Sequence, residues 1–283
     1  MQDIIKKADV LIEASAYIHA FRKKTVVIKY GGSILGEDKI RRSVLEDIVF
    51  LSLIGLRPVL IHGGGPNITE RMKQTGKKTE FIEGMRYTDL DTLKIVREEL
   101  DYLNEKIVKE INLLKGSAVS LKGEEGIIEA QKKRGKKDLG FVGEVNKIDK
   151  NKIESHLKKD FIPVISPMGL GQDRYVYNIN ADEAASFIAV SLSAEKFVLL
   201  TNVKGIMRSS SDVDSFISTL NIKEAKAMIK EKVIQEGMIP KVNACINALE
   251  AGVKKTHIID ARIQHALLLE IFTDKGIGTE IVR

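Results

Sequence analysis

A chain of 283 residues with 43% hydrophobic and 30% charged side chains has the balance of a globular protein that buries a full core, which excludes fibrous, collagen-like and disordered readings. Lys plus Arg number 45 and Asp plus Glu 39, a net charge of +6; such a surface attracts phosphates and carboxylates, while zero Trp and 5% aromatics argue against a base-stacking nucleic-acid surface. The single cysteine, Cys245, cannot form an internal disulfide, the Met-Gln-Asp start lacks the order of a secretory signal, and no apolar run nears the roughly 18 residues of a membrane span, so a cytoplasmic protein with no membrane or nucleic-acid partner is expected.

From about Asp3 to Phe21, Ile4, Ala8, Leu11, Ser15 and Ile18 share one helical face with Ile5 and Ile12 beside it. That stripe must be covered by its own subunit or by the same helix of a second copy. Val26 to Ile28 is a short β-branched strand. After Gly31 and Gly32, apolar residues at Ile40, Val44 and Ile48, and at Leu45, Val49 and Leu53, keep helical spacing until Gly55. Pro58 to Ile61 predicts a second strand, followed by three glycines and Pro66, which suits a first helical turn. Gly123 to Gly126 and the basic run Lys132 to Lys137 predict a pair of β-hairpins, the cations at a solvated tip. Strands are then expected at Phe161 to Ile165, Phe197 to Leu200 and His257 to Ile259, and helices at Ala181 to Leu192 and Ile239 to Ala251. Apolar strands alternating with helices predict an α/β fold, a three-layer αβα sandwich around an open, mostly parallel sheet.

Several chemical templates are missing: the P-loop, G-x-G-x-x-G after a strand, H-R-D with D-F-G, and H-E-x-x-H. His62 to Gly65 looks like a hydrolase oxyanion loop, but no G-x-S-x-G elbow accompanies it. What remains is two glycine turns, Lys29-Tyr30-Gly31-Gly32-Ser33 and His62-Gly63-Gly64-Gly65-Pro66, each after a strand and before a helix. Residues without a Cβ bring backbone N–H groups close to an anion, and a helix amino end adds its dipole, so a pair of such turns facing one crevice points to phosphate. Lys29 is either a solvated strand end or a fixed charge in that crevice. Lys241 opens a helix against the macrodipole, so another interaction must favour it there. Asn180 and Asp182 open an apolar helix, where capping is the commoner role.

The motifs K-Y-G-G-S, I-H-G-G-G-P, G-M-R-Y-T-D, D-L-G-F-V-G-E-V, Y-N-I-N-A-D-E-A-A, G-M-I-P-K-V and H-A-L-L-L-E-I-F-T-D-K-G-I-G-T occur in this order from Lys24 to Arg283. Together they resemble the amino-acid kinase family, in the branch that phosphorylates the side-chain carboxylate of N-acetyl-L-glutamate during arginine biosynthesis. The resemblance implies ATP as co-substrate with Mg2+, and no metal held by the protein itself. It implies catalytic roles for Lys29, Lys241 and Asp182, and nucleotide and phosphate contacts from Gly31, Gly32, Gly63, Gly64, Gly65, Thr201 and Asn202. Acceptor binding falls to Gly64, Gly65, Arg86, Asn178 and Asn180.

The same resemblance implies three regions: an oligomerisation helix (1–23), an acceptor-binding lobe (24–177) and a nucleotide lobe (178–283). Arginine-inhibited members carry such a first helix, which ties three dimers into a hexamer; their effector site corresponds here to Tyr17, His257, Glu270 and Gly276. Asn202 stands where aspartate is usual, Ala261 replaces a usual glycine, and the loop 207–215 is short. Two other readings of the same fold stay open: an N-acetyl-aminoadipate kinase of lysine biosynthesis, free or carrier-linked, and a ligand sensor without turnover.

Overall fold

The computed structural model describes residues 2–32, 37–209, 212, 215–235, 237–273 and 276–283, with side chains throughout except at 2–4, 6–8, 10, 11 and 13. The chain opens with α1 (Gln2–Phe21) and enters the sheet at β1 (Thr25–Tyr30). It continues through α2 (Asp38–Leu53), β2 (Arg57–His62), α3 (Gly65–Gln74), the short pair β3 (Phe81–Ile82) and β4 (Met85–Arg86), and the long α4 (Leu90–Leu113). Next come β5 (Ala118–Lys122), β6 (Ile128–Lys132), β7 (Val142–Ile148), α5 (Lys150–Leu157), β8 (Ile162–Ser166), β9 (Met168–Gly171) and β10 (Val176–Ile179). The last part holds α6 (Ala181–Ser191), β11 (Lys196–Thr201), β12 (Ile206–Met207), β13 (Phe216–Ile217), β14 (Thr219–Asn221), α7 (Ile222–Lys230), α8 (Ile239–Glu250), β15 (Lys255–Asp260), α9 (Ala266–Phe272) and β16 (Thr279–Val282).

The main sheet runs in the order β14-β16-β15-β11-β1-β2-β8-β5, parallel except where β16 meets β15. β1 sits in the middle, its Val27 paired with Phe197 on one side and Val59 on the other. Because side chains alternate along a strand, β1 feeds two cores. Val27 packs with residues of α6 and α8 on one face, and Val26, Ile28 and Tyr30 pack with α2, α4 and α9 on the other. This is the expected αβα sandwich with a mostly parallel sheet. The expected strands and helices all form, with ends shifted by a residue or two.

Three features differ from expectation. α4 is not among the expected elements, although Val96, Leu100, Leu103, Ile107 and Ile111 keep helical spacing and Asp89 caps it by accepting from Thr92 N at 2.8 Å. β5 and β6 do not pair as a hairpin: β5 edges the main sheet, whereas β6 joins β7, β9 and β10 in a small closed sheet. Lys133 is not at the solvated tip of the basic run but at its root, where it pairs with Glu183. Of the proposed α1 stripe, Ile18 is half-buried and Ser15 exposed, and the side chains of Ile4, Ala8 and Leu11 lie outside the described residues. Ile5 and Ile12 are 52% and 70% exposed. Among the described residues, no helix is long and apolar enough to cross a membrane.

Candidate active site

Alternation places Lys29 on the same face of β1 as Val27, the face covered by α6 and α8. The carboxyl end of β1 and the amino ends of α6 and α8 meet at one margin of the sheet. There Lys29 Nζ lies 2.7 Å from Asp182 Oδ1, and Lys241 Nζ lies 3.0 Å from Asp182 Oδ2. Burial pulls the Lys29 ammonium below its ordinary value, Lys241 pulls it the same way, and Asp182 opposes both. Burial also opposes ionisation of Asp182, but the two ammonium groups outweigh it and hold the carboxyl below the ordinary carboxylate range. The interaction that keeps Lys241 at a helix start is therefore Asp182. Ser186 Oγ donates to Ala244 O at 2.8 Å and locks α6, which carries Asp182, to α8, which carries Lys241.

The glycine turns abut one another. Gly63 N donates to Tyr30 O at 2.9 Å and Gly31 N to Leu200 O at 3.2 Å, so these two glycines spend their N–H groups on holding the loops. A Cβ on Gly32 would meet Gly65 N at 3.0 Å and Gly64 N at 3.1 Å. One on Gly64 would meet Leu100 at 2.9 Å, whereas Gly65 has open space. Among the described residues, the N–H groups of Gly32, Gly64 and Gly65 donate to no backbone carbonyl. Ser33 lies outside the described residues, as do residues 34–36.

Beneath the second turn, His62 is fully buried, and burial pushes its imidazole down to about 4, which keeps it neutral. Its Nε2 lies 3.1 Å from Asn104 Nδ2, which also donates to Val164 O at 3.0 Å. This pair braces the turn from below.

Arg86, on β4, is 8% exposed; it donates to Gly65 O at 3.0 Å and Thr69 Oγ1 at 2.7 Å, reaches Met72 Sδ at 3.2 Å, and stacks on Phe81 at 5.0 Å. All these partners are neutral. Burial without a neighbouring carboxylate pulls the guanidinium below its ordinary value. Asn178 Nδ2 donates to Thr88 Oγ1 at 3.3 Å. Asn180 caps α6, its Oδ1 accepting from Asp182 N at 2.8 Å and Glu183 N at 3.2 Å.

Lys29, Asp182, Lys241, Arg86, Asn178, Asn180 and the glycines of both turns line one cavity of about 800 Å³, together with Thr201 and Asn202. Thr201 is buried with its hydroxyl bonded to Val203 O and Ile259 O at 3.0 and 3.2 Å, and Asn202 is exposed at the rim. Of the loop 207–215, residues 210, 211, 213 and 214 lie outside the described residues. No cluster of three or more His, Cys, Asp or Glu is placed to hold a metal among the described residues.

A second cluster lies on the opposite face of the sheet. His257 Nδ1 is 2.6 Å from Glu270 Oε1, and Glu270 Oε2 accepts from Ile277 N and Gly278 N at 2.7 and 3.1 Å. Burial pulls the His257 ring below its ordinary value against the pull of Glu270, and among the described residues its Nε2 is buried without a partner. Burial works against the Glu270 charge, yet the His257 hydrogen bond and the two backbone amides outweigh it and hold the carboxyl below its ordinary value. Gly276 has φ 58°, and a Cβ there would meet Glu270 Oε2 at 2.9 Å. Tyr17 comes from α1 and stands edge-to-face on Phe272 of α9, centroids 6.3 Å apart.

Two lysines were missed from the sequence. Lys196, 7% exposed, lies over the Phe21 ring at 5.3 Å and acts electrostatically on His257; its signal was a lone charge opening the apolar run K-F-V-L-L. Lys133 lines the same cavity as Lys29 and Asp182, and its place in a basic run hid it.

The sequence pattern of the amino acid kinase family matches residues 24–260. The acetylglutamate kinase of Moorella thermoacetica is 46% identical over 289 residues, covering 98% of both chains. That of Petrotoga mobilis is 46% identical over 283 residues, covering 99% of this chain and 95% of its own. Among solved structures, the N-acetylglutamate synthase of Neisseria gonorrhoeae complexed with coenzyme A and N-acetyl-glutamate superposes with a TM-score of 0.87 at 27% identity; the match covers 98% of this chain and 63% of the synthase. The Giardia lamblia carbamate kinase bound to AMP-PNP superposes with a TM-score of 0.67 at 18% identity over 92% of this chain and 98% of its own, a likeness of fold alone. The chain belongs to the amino acid kinase family, in the branch of the acetylglutamate kinases.

Proposed function

We propose that the protein transfers the terminal phosphoryl group of ATP to the side-chain carboxylate of N-acetyl-L-glutamate, forming an acyl phosphate for arginine biosynthesis. The observation that carries this reading is one carboxylate, Asp182, holding two ammonium groups beside glycine N–H groups that, among the described residues, donate to no backbone carbonyl, in a cavity where the partners of the buried Arg86 among those residues are neutral. Phosphoryl transfer needs positioning and charge stabilisation and no covalent enzyme intermediate. The acceptor carboxylate is already ionised at neutral pH, so no general base is required.

Lys29 and Lys241 sit on either side of the transferring phosphoryl and offset its charge, while Asp182 holds both without touching it. Gly32 and Gly64 donate their N–H groups to the phosphates. Arg86 takes the α-carboxylate of the acceptor, a two-pronged task suited to guanidinium, with Asn178 beside it and the Asn180 amide at the cavity wall. Mg2+ would arrive on the phosphates and neutralise part of their charge, since both Asp182 oxygens are engaged by lysine. In this reading residues 24–177 bind the acceptor, 178–283 bind the nucleotide with Thr201 and Asn202 near the base, and 1–23 serve assembly.

The His257–Glu270 cluster supports a second part of the proposal, inhibition by arginine. A buried ring nitrogen without a donor among the described residues and a carboxylate held below its ordinary value fit a cationic ligand rich in N–H groups. Tyr17 links this cluster to α1, whose exposed Ile5 and Ile12 suit pairing with a second copy in a hexamer, a trimer of dimers. A coupled assay of ADP release with N-acetyl-L-glutamate, repeated with arginine, tests both parts. Turnover that falls with arginine is expected; no turnover with this acceptor would refute the first part, and undiminished turnover the second.

A further inference from the structure

Lys133 stands at the root of the 133–141 hairpin with its side chain bordering the active-site cavity. Its Nζ is 2.9 Å from Glu183 Oε2, the two side chains being 25% and 22% exposed. Glu183 Oε1 accepts from Val145 N at 3.1 Å, so this carboxylate is held from two sides, one residue after Asp182 in the first turn of α6. The far arm of the hairpin is fastened elsewhere: Thr88 N donates to Leu139 O at 3.1 Å and Phe141 N to Thr88 O at 2.6 Å, two residues from Arg86. The hairpin therefore spans from the segment carrying Arg86 to the helix carrying Asp182.

Behind the ion pair is a second cavity of about 730 Å³, with Phe187, Ile239, Pro240 and Asn243 in its walls. It shares Gly84, Met85, Lys133 and Asn180 with the active-site cavity. Lys133 and Glu183 thus stand in the partition between the two spaces.

We propose that the Lys133–Glu183 ion pair is a positioning and specificity element of the acceptor site, holding the hairpin as a wall and closing the acceptor cavity from the space behind, which limits the size of the N-acyl group. The proposal rests on the acetylglutamate kinase reading. With the α-carboxylate on Arg86 and the reacting carboxylate at Lys29, the N-acyl branch is what remains to meet this wall. A partly exposed ion pair adds little stability, so its effect is on the geometry of the pocket rather than on folding.

The test is steady-state kinetics on the full chain and its Lys133→Ala, Lys133→Arg and Glu183→Gln variants, with N-acetyl- and N-butyryl-L-glutamate as acceptors. Lys133→Ala and Glu183→Gln raise KM for the acetyl acceptor by about 10-fold with kcat within about 2-fold, lower the acetyl-over-butyryl preference in kcat/KM by about 10-fold, and Lys133→Arg keeps both near the parent values. An unchanged KM or preference in Lys133→Ala overturns the proposal alone, as does a fall in kcat with KM and preference unmoved. An unmodified protein without turnover of N-acetyl-L-glutamate overturns the kinase reading, and this proposal with it.

Discussion

Asp182 and Lys29 form a 2.7 Å ion pair in which the lysine is 6% and the aspartate 5% exposed, and the second oxygen of the same carboxylate holds Lys241 at 3.0 Å. One buried anion thus fixes two cations that come from β1 and α8. Replacing it by a neutral isostere leaves Lys29 buried without its counter-charge. Asp182→Asn lowers kcat by roughly 10²- to 10³-fold and lowers stability by about 3 kcal/mol; turnover assays and denaturant titration of the variant check the two effects separately.

Arg86→Lys keeps the charge but loses the planar fork and the stacking on Phe81. It raises KM for the acceptor by about 10- to 100-fold with a smaller effect on kcat. Equal KM in variant and parent, measured with the acceptor varied at saturating ATP, would remove Arg86 from acceptor binding.

The glycine turns give a paired expectation. Gly32→Ala presses a methyl against the Gly64 and Gly65 amides at 3.1 and 3.0 Å, backbone atoms that yield poorly. It costs about 1 to 3 kcal/mol of stability and lowers kcat/KM by about 100-fold through displaced phosphate contacts. Gly65→Ala points into open space and changes stability by less than about 0.5 kcal/mol. Thermal melts of the two variants should therefore separate clearly.

His62 titrates near 4 in the fold against 6.5 ordinarily. The depressed value means that the unfolded chain binds a proton the native chain refuses between these limits, so stability from this group is complete above about 6.5 and is lost as pH falls toward about 4. The full loss is roughly 3 kcal/mol. Asp47 acts in the opposite sense, its carboxyl pushed up to about 6 mainly by burial, and partly masks the effect. In His62→Gln, stability measured from pH 7 to pH 4 declines less steeply than in the parent.

Removal of residues 1–22 takes away Tyr17 and its contact with Phe272. The truncated protein keeps turnover and loses sensitivity to arginine, read as the ratio of rates with and without it. Inhibition of equal depth in both proteins would separate α1 from regulation.

Much of this site was legible because its signals are local. Val26 to Ile28, the glycine turns and the apolar starts of α6 and α8 each announce an element through propensity or spacing. What local pattern cannot give is strand order, and it is the placement of β1 between β11 and β2 that brings Lys29, Asp182 and Lys241 together. The same limit hides how closely the two turns approach, a Cβ on Gly32 meeting Gly65 N at 3.0 Å. Lys133 was illegible because a run of cations reads as solvated wherever it occurs, and only the fold places one of them on Glu183.

The most direct measurement is a crystal structure with a non-hydrolysable ATP analogue and N-acetyl-L-glutamate bound. The terminal phosphate is expected within about 3 Å of the Gly32 and Gly64 amides and between the Lys29 and Lys241 ammonium groups. A terminal phosphate seated away from both turns, with Lys29 and Lys241 still closed on Asp182, would contradict it.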